Sequence, residues 1–111
     1  RFVSNFNLNF NYTFNTLEDK FDYDQEFDLV ISNYAFSELP RNLQNFALNK
    51  IINNSKNGYM IINSHGLEKN IFLKKYDFHT IDELKKLIPN LLILEEYPQS
   101  HKNNKLLTFS R

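Results

Sequence analysis

The chain has 111 residues, 41% of them hydrophobic and 15% aromatic, with 13 basic and 13 acidic residues and a formal net charge of zero. That length allows one small domain at most, and the balanced charge lacks the basic stripe expected for a nucleic-acid or anionic-membrane partner. The absence of cysteine excludes disulfides, thiol catalysis and cysteine-ligated metal and fits a reducing, cytoplasmic setting, while no apolar run approaches the roughly 20 residues of a membrane span.

Residues 1–14 alternate Phe6, Leu8, Phe10, Tyr12 and Phe14 with Asn7, Asn9, Asn11 and Thr13. Period two predicts a strand with one buried face. The acidic stretch 16–26 lacks periodicity. Its carboxylates Glu18, Asp19, Asp22, Asp24 and Glu26 have no spacing that converges on a cation, so a solvated connection is expected and no metal site.

Phe27-Asp28-Leu29-Val30-Ile31 is an unbroken apolar run apart from Asp28. It predicts a strand covered on both faces, ended by the polar residues Ser32-Asn33-Tyr34. A helix is expected over residues 39–53, with Pro40 in its first turn and Leu43, Phe46, Ala47 and Ile51 as its apolar stripe. Asn54-Ser55-Lys56-Asn57-Gly58 reads as the turn that ends it. Tyr59-Met60-Ile61-Ile62 reads as a second buried strand, stopping at Asn63-Ser64-His65-Gly66. A strand, a crossover helix and a strand imply parallel pairing. Both polar clusters then leave the sheet at one edge, the edge where ligands bind in open α/β sheets.

Residues 67–79 are mixed. Thr80-Ile81-Asp82-Glu83 is a capping box, with Leu84, Leu87 and Ile88 as the inner face of its helix and Pro89 closing it. A third strand is expected in residues 91–97 and a fourth in 105–110. The loop between them is short enough to require antiparallel pairing, which brings residues 98–104 to the same polar edge if the third strand runs parallel to the first two.

The segment FDLVISNYAFSELP, followed at a helix's distance by NGYMIINSHG, resembles the second half of a class I methyltransferase that uses S-adenosylmethionine. More narrowly, DLVISNYAFSEL is similar to the sugar O-methyltransferases of that class. The resemblance spans the chain in element order, and its closing antiparallel hairpin is also what that fold carries at its C-terminus. It implies the C-terminal half of a Rossmann-like sheet, S-adenosylmethionine as cofactor, and a small-molecule or glycan acceptor. The glycine-rich cofactor turn is missing: Gly58 and Gly66 are the only glycines. The chain is therefore expected to be part of a longer protein.

Methyl transfer to a hydroxyl needs an acceptor oxygen held in line and a group to take its proton. Histidine titrates near neutrality, which makes His65 and His101, both at the inferred ligand edge, the candidate bases. His79, ahead of a helix cap, is expected to be structural. Asn33 and Tyr34, which end the first strand, are the candidate cofactor contacts. Ser37, Glu38 and Ser64 are the candidate acceptor contacts. Each has a plain alternative: Asn33 can bond its own turn, Glu38 can face helix amides, and the histidines can be solvent-facing turn residues. Two other readings stay open, a non-catalytic Rossmann-like binding module and another sugar- or nucleotide-modifying transferase.

Overall fold

The computed structural model describes Asn15, residues 25–63 and residues 78–111. The strand expected in residues 1–14, most of the acidic connection and the mixed stretch up to residue 77 lie outside the described residues.

Among the described residues, four strands form one mixed sheet. Strand β1 (Phe27–Asn33) leads into a single helical turn α1 (Ala35–Glu38), helix α2 (Arg41–Ala47) and a π-helical turn (Leu48–Ile52). Strand β2 (Ser55–Asn63), helix α3 (Ile81–Leu87), strand β3 (Leu92–Glu95) and strand β4 (Asn104–Ser110) follow. The sheet order is β1-β2-β4-β3. β1 and β2 pair in parallel, and β4 pairs antiparallel with both β2 and β3. β3 therefore runs in the same direction as β1 and β2, and the hairpin between β3 and β4 opens at their carboxyl ends. The protein is a small α/β structure, as the order of apolar runs predicts.

The single long helix expected before β2 is divided. Leu39 is extended (φ −81°, ψ 141°) because a residue ahead of proline is pushed out of the helical region. Pro40 is then the N-cap of α2, with Leu43 and Gln44 amides bonded to its carbonyl. At the other end the Asn53 amide reaches back five residues to the Leu48 carbonyl, 2.9 Å, which is the π-helical bond. The buried face is Gln44, Ala47, Leu48 and Ile52, one residue on from the stripe read in the sequence. Gln44 is tolerated there because its amide donates to the Phe36 carbonyl (3.1 Å) and its carbonyl accepts from the His79 amide (2.8 Å).

The core lies between these helices and one face of the sheet. Met60 and Ile62 of β2, Leu107 and Phe109 of β4, and Leu84 and Ile88 of the α3 segment are fully buried or nearly so. Leu87, read as part of the inner face of α3, is instead exposed. Ile88, read as part of the same face, is fully buried, but from an extended position at the helix end ahead of Pro89.

Gly58 belongs to β2 and not to a turn. It pairs with Val30 on one side and Phe109 on the other. A Cβ at this position would sit 2.1 Å from the Phe109 ring, so the missing side chain is what lets that ring lie on the strand.

The opposite face of the sheet is open among the described residues. Register places Ile31, Tyr59, Thr108 and Leu92 in one row across it, and Asn33, Ile61, Leu106 and Leu94 in the next. No charged side chain interrupts these rows. Ile31 is 62% exposed and Leu29 52% exposed. The expectation that β1 is covered on both faces is thus corrected: Val30 packs against the core, while its neighbours face outward.

Gly58→Ala should destabilise the fold by about 1–3 kcal/mol through overpacking against Phe109. Adding Phe109→Leu should recover part of that loss even though Phe109→Leu alone is destabilising. Urea denaturation of the two single variants and the double variant measures the coupling, and strict additivity would contradict the close approach.

Candidate functional site

The polar residues at the carboxyl ends of the parallel strands converge. At the end of β1 the chain turns through Tyr34, which adopts a left-handed conformation (φ 64°, ψ −23°). Its amide donates to the Ile61 carbonyl at 2.7 Å, extending the bonding to β2. Ser32 Oγ accepts the Phe36 amide at 3.2 Å. Ser37 Oγ donates to the Tyr34 carbonyl at 2.8 Å and accepts the Asn63 amide at 3.2 Å. One buried hydroxyl thereby joins the ends of β1 and β2.

The hairpin loop closes on the same place. Tyr34 Oη donates to Glu96 Oε1 at 3.2 Å, and the Asn104 side-chain amide donates to Tyr34 Oη at 3.2 Å and to Glu96 Oε2 at 3.1 Å. Ser100 supplies its backbone amide to Glu96 Oε2 (2.9 Å) and its hydroxyl to the same carboxylate, and accepts from Asn104 (3.0 Å). Asn104 is only 5% exposed, so its side-chain amide meets the need of a buried polar group for partners.

The Ser100 backbone amide is the main cause that draws the Glu96 carboxyl down to about 2. The Ser100 hydroxyl, the Asn104 amide and the Tyr34 phenol add to it against the cost of burial. Glu96 is therefore a fixed anion at neutral pH, too acidic to serve as a general base.

The residues singled out in the sequence divide clearly. Tyr34 and Ser37 lie inside this knot. Ser37 is 8% exposed, with its proton and a lone pair both engaged internally. Asn33 is exposed at the last position of β1. Glu38 is exposed and is the last residue of α1, three positions ahead of α2. His101 is exposed in the hairpin loop. Its Nδ1 accepts the Asn103 amide at 3.1 Å, which assigns the proton of the neutral ring to Nε2. Ser64 and His65 lie outside the described residues.

Glu96, Ser100 and Asn104 escaped the sequence reading. One signal was present. Consecutive strand residues point to opposite faces, so Glu95 and Glu96 cannot share a partner. Glu95 pairs with Lys105 at 2.7 Å, and Glu96 turns to the edge.

His79 is structural, as expected, and 6% exposed. Its Nδ1 lies 2.7 Å from Glu83 Oε2, and its Nε2 faces Asn45 Oδ1. Arg41 donates to Glu83 (2.9 Å) and to the Phe78 carbonyl (2.8 Å), and its guanidinium lies 3.0 Å from His79 Nδ1. The Arg41 hydrogen bond, then that of His79, lowers the Glu83 carboxyl. Only half of the expected capping box forms. Thr80 Oγ1 accepts the Glu83 amide, but the Glu83 carboxylate goes to Arg41 and His79. This second knot braces α3 against α2.

A shallow cavity lined by Glu26, Asn53, Asn54, Ser55, Lys56 and Arg111 sits at the opposite, amino end of β2. There the Arg111 guanidinium bonds the Asn53 carbonyl at 2.8 Å and so caps the end of the π-helical turn. Among the described residues no group of three His, Cys, Asp or Glu side chains could hold a metal ion. Nor is any helix among them long and apolar enough to cross a membrane.

These features define a mixed-sheet α/β protein with a polar knot where strand ends meet. No protein family, curated protein or solved structure matches the chain.

Glu96 and Glu83 both have depressed carboxyls, so their contribution to stability is full above the ordinary value of 4.5. It shrinks as the pH falls and, for Glu96, is gone below about 2. Glu96→Gln should therefore flatten the fall of Tm between pH 4.5 and 2. Melting curves across that range check this, and an unchanged acid slope would rule out the assigned bonding.

Proposed function

We propose that the chain forms the downstream half of a class I methyltransferase domain that moves a methyl group from S-adenosylmethionine to a sugar hydroxyl. The observation that carries this reading is the meeting of Tyr34, from the segment SNYAFSE, with the β3–β4 hairpin at the carboxyl edge of parallel β1 and β2. That edge is where an α/β sheet offers its crevice, and the closing antiparallel hairpin agrees with the class that the segment resembles.

The residues present fit one wall of a cofactor site. Asn33 is an exposed amide and Tyr34 a half-buried ring at the strand end, suited to a nucleoside. Gly58 is occupied by Phe109 and cannot serve as a cofactor-cradling glycine. When bound, S-adenosylmethionine would supply the electrophilic methyl group. The chain's part is to orient the acceptor through Glu38 and Ser64 and to take its proton at His65 or His101. Ser37 acts by holding the turn that carries Tyr34. His101 would have to give up the Asn103 amide to use Nδ1 as a base.

A second reading, a non-catalytic module that packs on a partner, is favoured by the uncharged, exposed face carrying Leu29, Ile31, Tyr59, Leu92 and Leu94.

The test is calorimetric titration of the full-length protein with S-adenosylmethionine. Micromolar binding is expected there, and weak or no binding by the 111-residue segment alone. Asn33→Ala should raise Kd roughly tenfold, the loss of one good hydrogen bond. His65→Ala should lower turnover without a matching change in cofactor affinity. Absence of cofactor binding by the full-length protein would overturn the methyltransferase reading and leave the packing module.

A further inference from the structure

Tyr34 is held more firmly than a turn residue requires. A left-handed conformation costs a non-glycine residue about 1–2 kcal/mol, and such strain persists where surrounding bonds fix it, often at ligand clamps. Here the amide, the carbonyl and the phenol of Tyr34 are all bonded, to Ile61, Ser37, Glu96 and Asn104. The phenol partners come from 62 and 70 residues away in the chain. A simple turn would need none of them.

The chemistry of the bond matters as much as its reach. The donors to Glu96 are Ser100, Asn104 and Tyr34, all neutral, so they fill its lone pairs without cancelling its charge. A phenol that donates to a carboxylate gains electron density, which deepens the negative potential over its ring. Such a ring face attracts cations, including ligand onium groups.

We propose that Tyr34 is a cation platform, with Glu96 as the positioning residue behind its hydroxyl, and that it receives the onium group of a ligand. The inference rests on the methyltransferase reading for the identity of that group, a sulfonium. It assigns to Glu96 a role in ligand discrimination, favouring the cationic form of the cofactor over its neutral product, while Ser100 and Asn104 hold its carboxylate in place.

The experiment compares S-adenosylmethionine, a cation, with S-adenosylhomocysteine, a neutral thioether, by calorimetry on the full-length protein. Glu96→Gln and Tyr34→Leu should each reduce the preference for the cation roughly three- to tenfold, with a smaller change for the thioether. Tyr34→Phe, which keeps the ring and loses the bond, should fall between wild type and Tyr34→Leu. A second measurement does not depend on the cofactor. Carbon-13 tyrosine NMR follows the Tyr34 ring, identified by its loss in Tyr34→Leu, during titration with trimethylsulfonium and with neutral dimethyl sulfoxide. A shift with the cation alone, abolished in Glu96→Gln, is expected.

If the cofactor binds but the preference is unchanged in the variants and Tyr34 ignores trimethylsulfonium, the platform is wrong and the methyltransferase reading stands. If the cofactor does not bind but Tyr34 responds to trimethylsulfonium through Glu96, the platform stands and that reading falls. If neither binds, both fall.

Discussion

The placement of β4 between β2 and β3 is the constraint on which the rest of this structure depends. β4 runs against both neighbours, pairing with β2 from Asn57↔Ser110 to Asn63↔Asn104 and with β3 from Leu92↔Thr108 to Glu95↔Lys105. A strand bonded on both sides has no free edge. Its insertion turns β3 parallel to β1 and β2 and carries the hairpin loop to their carboxyl ends. The same strand places Phe109 over Gly58 and Leu107 beside Met60. The core and the candidate site are thus two results of one pairing.

Two polar knots divide the work of holding the remaining elements. Arg41, His79 and Glu83 tie the start of α3 to α2, with Gln44 fixing the His79 backbone. Tyr34, Glu96, Ser100 and Asn104 tie the end of β1 to the hairpin. Each knot has an ionised carboxylate at its centre. In the first an arginine offsets that charge, so the knot is a brace. In the second the bonded partners Tyr34, Ser100 and Asn104 are neutral, so within the knot they do not offset the charge of Glu96.

The order of elements was legible because apolar runs, Pro40, Pro89 and the Thr80 cap punctuate the chain. Facing was less legible. A short apolar run such as Phe27 to Ile31 reads as doubly buried, yet nothing in it says which neighbours exist, and Leu29 and Ile31 face outward. The inner face of α2 was read one residue early because Gln44 counts as polar in any periodicity; its burial depends on Phe36 and His79, which the pattern of α2 cannot contain. Gly58 looked like a turn glycine because the ring that needs its bare backbone lies 51 residues later. For the site, Tyr34 and Ser37 were visible as a strand end. Glu96 and Asn104 were not, since their partner is set by sheet order and sheet order is a tertiary property.

The interior position of β4 also bears on how the fold is assembled. Residues 104–110 follow the other described strands in the chain, so they are synthesised after β2 and β3. Until they arrive, those two strands have no bond to each other, and the slot between them stays open. Closing the sheet is then a late step of long sequence separation, the slow kind of contact in folding. A chain that ends before residue 104 has no strand to join β2 to β3 and lacks the Asn104 amide that bonds Tyr34.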